Sequence, residues 1–156
     1  MEREQTIAVG RAIENPALGL RSVVLESTPE ILRAETEVDA GGNGGPLHRH
    51  MRQEERFLIQ EGEVTVRLGL RGSRVFGPGE VAIIPTGTPH TFTAGSDGAR
   101  FIAEFRPPWR IGEFFAELFA LATEGRLDKR GNPKLTDLAV LMHRFQIGRA
   151  SCRERV

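Results

Sequence analysis

The sequence predicts one all-β domain followed by two C-terminal helices, and three observations carry that expectation. The chain has 156 residues, the size of one ordinary domain and too short for two comfortable ones. From about Thr6 to Arg106, short apolar or β-branched runs are punctuated by glycine and proline. After Pro107-Pro108 the apolar period lengthens from two to the helical value of about 3.6.

In the first part, Ser22-Val-Val-Leu25, Phe57-Leu-Ile59 and Val64-Thr-Val66 read as strands. Gly41-Gly-Asn-Gly-Gly-Pro46 reads as a loop, Gly62 as a tight hairpin, and Gly77-Pro-Gly79 and Pro85-Thr-Gly87 as turns. Strands at this spacing predict a sandwich or barrel. In the second part, Ile111, Phe114, Phe115, Leu118, Phe119 and Ala122 fall on one helical face, with Gly125 as the stop. A second helix is expected from Asn132 as N-cap and Pro133 at the first turn, with Leu135, Leu138, Ala139, Met142 and Phe145 on its apolar face. The phenylalanine stripe reads as packing or as a dimer surface, with Leu118 and Phe119 largely buried. The expected boundaries are a barrel over 1–108, a helical hairpin packed on it over 109–146, and a tail over 147–156. That tail has the sequence encoded by one frame of a short-read sequencing adapter. It is therefore expected to be non-native and to contribute nothing to stability or to a site, Cys152 included.

Composition narrows the function. The 21 basic and 21 acidic residues cancel, and no run of like charge is present to track phosphates or an anionic membrane. Nucleic acid and lipid are not expected partners. No apolar run approaches the roughly 18 residues of a membrane span, so a cytoplasmic location is expected. The single cysteine rules out a disulfide framework within the chain, and the absence of tyrosine leaves histidine and carboxylate as candidate catalytic groups.

The chemistry concentrates in Gly44-Gly-Pro-Leu-His48-Arg-His50-Met-Arg-Gln-Glu-Glu55-Arg-Phe57-Leu-Ile59. On a strand, His48 and His50 project to one side and Arg49 to the other. Glu55, Phe57 and Ile59 alternate on a face that is apolar apart from the carboxylate, where a cation beside two imidazoles would stabilise it. Glu54 is an alternative ligand, disfavoured by this alternation, and it reads with Gln53 as part of a turn. A second segment, from Gly79 to Ala94, offers a third histidine, His90, with Phe92 on the same face. His143 reads as surface or packing. Arg33, Glu35 and Glu37 alternate on one strand, as a solvated face or as the rim of a pocket.

These two segments resemble the paired motifs of the cupin superfamily. His48, His50, Glu55 and Gly62 fit the first motif, and Gly79, Pro85, Gly87 and His90 fit the second. Ala94 stands where the second motif has asparagine, a position not usually a ligand. The resemblance is to small single-domain, type-2 cupins, and it spans about Leu47 to Ala94 by motif. It implies a double-stranded β-helix, jelly-roll-like, often dimeric, with His48, His50, Glu55 and His90 on one metal ion. Such a nitrogen and oxygen set suits Fe, Mn, Zn, Ni, Co or Cu as the divalent ion. Phe57, Ile59, Ile83 and Phe92 are expected to line an apolar pocket for a small, partly hydrophobic ligand. The expected function is a metal-dependent, dioxygenase-like oxidoreductase. The alternatives are a redox-neutral isomerase or lyase and a non-catalytic binding or sensing module.

Overall fold

Alternation in the first two thirds of the chain produces antiparallel strands whose apolar side chains share an inner face. The computed structural model describes residues 7–149. In chain order the strands are β1 (Ala12–Asn15), β2 (Leu20–Ser27), β3 (Leu32–Val38), β4 (His48–His50), β5 (Glu54–Arg67), β6 (Ser73–Phe76), β7 (Val81–Ile84) and β8 (Thr91–Arg106). Helices α1 (Ile111–Thr123) and α2 (Leu135–Arg144) follow, then a last strand β9 (Ile147–Arg149). One sheet runs β1-β2-β3-β8-β5-β6 with β7 also on β5, and β4 pairs with β9 in a second sheet. Val24, Leu32, Phe57, Ala82, Ile84 and Phe101 join one buried cluster, so the sheet curls around a single core. This is the jelly-roll architecture that the resemblance implies.

The spine is the β5–β8 pair, whose register slips twice, between Ile59 and Glu61 and between Gly62 and Val64. The first slip adds one residue on β5 and offsets its alternation, while the second adds residues on β8, so the buried residues of β5 are Glu55, Phe57 and Ile59 before the first slip and Val64 and Val66 after it. Gly62 therefore does not make the hairpin expected of it; it sits inside a continuous bent strand. Its φ is 72°, and a Cβ there would collide with the carbonyl of Gly98, so only glycine lets the two backbones approach. On the outer face of β3, Arg33 lies 3.1 Å from Glu104 and Glu35 lies 3.3 Å from Arg100. Arg33, Glu35 and Glu37 do not line the cavity, and the expected solvated face holds only for Glu37, since Arg33 and Glu35 are half-buried and Glu104 is buried.

The first helix follows its expected bounds, and Gly125, at φ 69°, ends it. The second differs. Asp128 Oδ1 accepts from the backbone N–H of Arg130 and of Asn132, and Leu127 bridges Pro133. Asn132 and Pro133 thus belong to the connection, Lys134 is the N-cap, and the helix starts at Leu135. Leu135 is 73% exposed and Ala139 is exposed, while Leu141 and Phe145 are buried. Leu118 and Phe119, expected to be largely buried, are half-buried. They border a cavity rather than fill a core. No helix among the described residues is long and apolar enough to cross a membrane.

The expected tail is not inert in its first three residues. Ile147 is buried, and β9 pairs with β4 in the register His48↔Arg149, Arg49↔Gly148, His50↔Ile147. The backbone of β4 needs partners on both edges, and β9 supplies one. Cys152 lies outside the described residues.

Candidate metal centre

The three histidines and the glutamate arrive on three segments held together by backbone hydrogen bonds. His48 donates its N–H to the His90 carbonyl at 3.1 Å, and His90 donates to the His48 carbonyl at 2.8 Å. The Gly87 N–H reaches the His50 carbonyl at 2.8 Å. The loop expected at 41–46 enters the same ladder, with Gly44 donating to Phe92. Glu55 stands on β5 opposite Ile84 and Phe105, both buried, so its carboxylate points inward. The donor atoms of His48, His50, Glu55 and His90 all lie within 4.8 Å of one another.

Ring tautomers follow from local geometry. The Nδ1–H of His48 donates to the Pro46 carbonyl and that of His90 to the Thr88 carbonyl, each at 2.8 Å and each two residues back. A neutral ring anchored this way presents Nε2 as a lone pair. His90 Nε2 is 2.6 Å from Glu55 Oε2, and His50 Nε2 is 3.5 Å from the same oxygen. A lone pair facing a carboxylate oxygen is repulsive unless a proton or a cation lies between them. The donor set suits a divalent transition metal, and the carbonyl-anchored imidazoles match the usual second contacts of metal-bound histidine. An ion about 2.0 to 2.2 Å from each donor spaces neighbours roughly 3 to 4.4 Å apart, so modest rotations bring the four onto it. His50 Nδ1 has no such anchor, and its ring lies edge-on to Phe105 at 5.7 Å.

The electrostatics agree. Burial pushes His50 down to about 3, against the pull of Glu55. Burial also lowers His48, and the neighbouring His90 adds to that. For Glu55, burial alone would raise the carboxyl, but the His90 hydrogen bond and the nearby rings outweigh it and hold it below its ordinary value. Burial opposes charge on His90 too, yet the Glu55 bond and charge raise it. The site therefore favours an ionised carboxylate beside neutral His48 and His50, the protonation that metal binding requires.

The cluster forms one wall of a cavity of about 410 Å³. Phe57 and Phe92 line it as expected. Ile59 is buried but lies behind the cavity wall, in the barrel core. Ile83 is a correction: it is 50% exposed and faces outward. Directly opposed residues share a face, and Ile84, not Ile83, opposes Glu55. The roof comes from the helices, through Phe114, Phe115, Leu118, Leu138 and Met142, which sequence periodicity assigned to packing. Asn15, Ser22 and Thr36 also border the cavity, and no pattern in the sequence singles them out. Among the described residues, no lysine or arginine lines the cavity. Gln53, expected on a turn, is buried and donates to the Pro108 carbonyl at 3.1 Å, tying the cluster strand to the approach to α1. Glu54 faces outward and accepts from Arg56, and His143 is exposed.

Residues 34–103 match the cupin domain family. An RmlC-like cupin from Shewanella frigidimarina is 25% identical, with a TM-score of 0.54 over 69% of this chain and 88% of that one. KdgF from Halomonas sp. is 25% identical, with a TM-score of 0.53 over 57% and 79% of the two chains. The polyketide cyclase RemF from Streptomyces resistomycificus is 26% identical, with a TM-score of 0.52 over 68% and 78%. Among curated proteins, none matches.

Proposed function

From the match of residues 34–103 to the cupin domain family and the cupin structures it resembles, we propose that the chain is a cupin and a metal-dependent, dioxygenase-like oxidoreductase acting on a small, largely apolar, oxygen-bearing molecule. One observation carries the reading. The titratable side chains lining the cavity are the four of the cluster and Glu14, whose carboxylate is engaged 3.1 Å from Arg21. Among the described residues the cavity thus holds no separate general acid or base, and the chemistry falls to the ion. A divalent metal there supplies Lewis acidity or redox exchange at positions left open for an oxygen ligand. His48, His50, Glu55 and His90 hold it, and the carbonyls of Pro46 and Thr88 keep two of the rings in the binding tautomer. Phe57, Phe92 and the helical roof exclude water and orient an apolar ligand.

The test is elemental analysis of protein purified without added ions, followed by oxygen uptake with catechols, flavonoids and diketones. The expected result is near-stoichiometric metal and oxygen consumption that needs a redox-active ion. Sustained oxygen-dependent turnover by a zinc-only preparation would sink the redox reading. A redox-neutral reading has one specific support, the likeness to a polyketide cyclase. In that case zinc-loaded protein turns over without oxygen.

A further inference from the structure

The four candidate ligands are not held alike. His48 and His90 each anchor Nδ1 on a carbonyl two residues back. His50 Nδ1 meets no partner among the described residues, and the Glu55 carboxylate bonds within the cluster, to His90. The positions of His50 and Glu55 therefore depend more on the backbone that carries them. His50 ends β4 and Glu55 is the second residue of β5, so the turn Met51-Arg52-Gln53 sets their separation.

Each residue of that turn is gripped by one end of the helical hairpin. The Met51 N–H donates to the Gln146 carbonyl at 3.3 Å, just past α2. The Arg52 guanidinium donates to Gln146 Oε1 at 2.9 Å and lies 4.7 Å from the centre of the Trp109 ring, just before α1. Gln53 is 2% exposed, and its Nε2 donates at 3.1 Å to the Pro108 carbonyl, which also accepts the Ile111 N–H that opens α1. Trp109 and Gln146 are moreover the two non-glycine residues with positive φ among the described residues, at 44° and 52°. The left-handed region is unfavourable for residues that carry a Cβ and persists only where the surroundings impose it. Such backbone at both contacts with one turn marks a built junction rather than incidental packing.

We propose that the helical hairpin positions the metal ligands as well as roofing the cavity, by gripping the 51–53 turn, and that Gln53 is the positioning residue. The hairpin carries Phe115 and Leu118 over the cavity and at the same time fixes the spacing of His50 and Glu55. The inference rests on the metal-centre reading and adds the element that aligns the two ligands lacking an anchor of their own.

The experiment titrates metal-free wild type, Gln53→Met and Arg52→Ala with Co2+ against a competing chelator and records the visible spectrum of the bound ion. Methionine keeps the length of Gln53 and cannot donate. Gln53→Met should raise the Co2+ dissociation constant about tenfold, the low end for a residue that orients metal ligands, and should change the shape of the spectrum. Arg52→Ala should raise the constant about threefold, the weight of one exposed cation–π contact. The metal-free melting temperature of both variants should stay at the wild-type value. A merely structural glutamine gives the reverse, a lower melting temperature with wild-type Co2+ affinity and spectrum, and that result overturns the proposal. Should Gln53→Met fail to fold, the exposed Arg52→Ala decides, and an unchanged Co2+ affinity there overturns it as well. Wild type that takes up no Co2+ removes the metal reading and this inference with it, whereas variants that bind Co2+ as wild type does remove this inference alone.

Discussion

The wall and the roof of the cavity use the same kind of side chain and bury it to different degrees. Phe57 and Phe101, on the β5–β8 spine, are each 1% exposed, with ring centroids 4.8 Å apart. Phe114, Phe115 and Leu118, on α1, are half-buried. In the wall, sheet pairing presses neighbours against each ring from both sides. In the roof, one side of the helix meets the barrel rim and the cavity, where no packed layer waits. Apolar periodicity therefore reports that a face is turned from water, not that the space it faces is filled.

The largest expected effect separates the cluster from everything around it. His48→Ala, His50→Ala and His90→Ala should each abolish stoichiometric metal binding, because each removes one of four ligands and leaves the rest unsupported. Glu55→Gln should weaken binding and Glu54→Gln should leave it unchanged. Elemental analysis after dialysis checks this, and unchanged metal in any two of the histidine variants would break the assignment.

Next comes the wall. Phe57→Ala or Phe101→Ala should destabilise by about 3 to 5 kcal/mol in denaturant titrations, the cost of emptying a filled core position. In the roof, Phe115→Ala or Leu118→Ala should cost roughly 1 to 2 kcal/mol, since less apolar area leaves contact, and metal content should be retained. Equal losses in wall and roof would mean that α1 is core after all.

The smallest effect is a pH dependence. In chelator-treated protein, His50 and His48 are held neutral by burial, whereas in the unfolded chain they titrate near their ordinary value of about 6.5. The unfolded state then binds more protons, so this contribution to stability is intact above about 6.5 and is lost as the pH falls toward 3. Glu55, held low, acts in the same direction, and His90, raised, opposes it. Melting temperature against pH should fall less steeply in His50→Gln than in wild type; an unchanged slope would mean that His50 does not carry the effect.

Much of the site was legible because its signals are local. Strand alternation placed His48 and His50 together and chose Glu55 over Glu54, and the outward turn of Glu54 toward Arg56 agrees with that choice. The errors share one cause. Ile83 lies two residues before Pro85, and nothing in its own neighbourhood states its parity; the pairing of Glu55 with Ile84 does. Gly62 has the residue type of a turn, and only the approach of Gly98 makes it a bend within a strand.

What the amino-acid order determined by itself was the change from strand to helix after Pro107-Pro108, the length of α1 and the identity of the candidate ligands, since period and spacing act within a few residues. Tertiary structure alone decided that the helices roof a cavity, that Ile147 pairs beside His50, and that the Asn15 amide is buried without a hydrogen-bond partner among the described residues. Those properties depend on which segments meet across many residues of chain, and an empty space or an unmet amide exists only once every neighbour is in place.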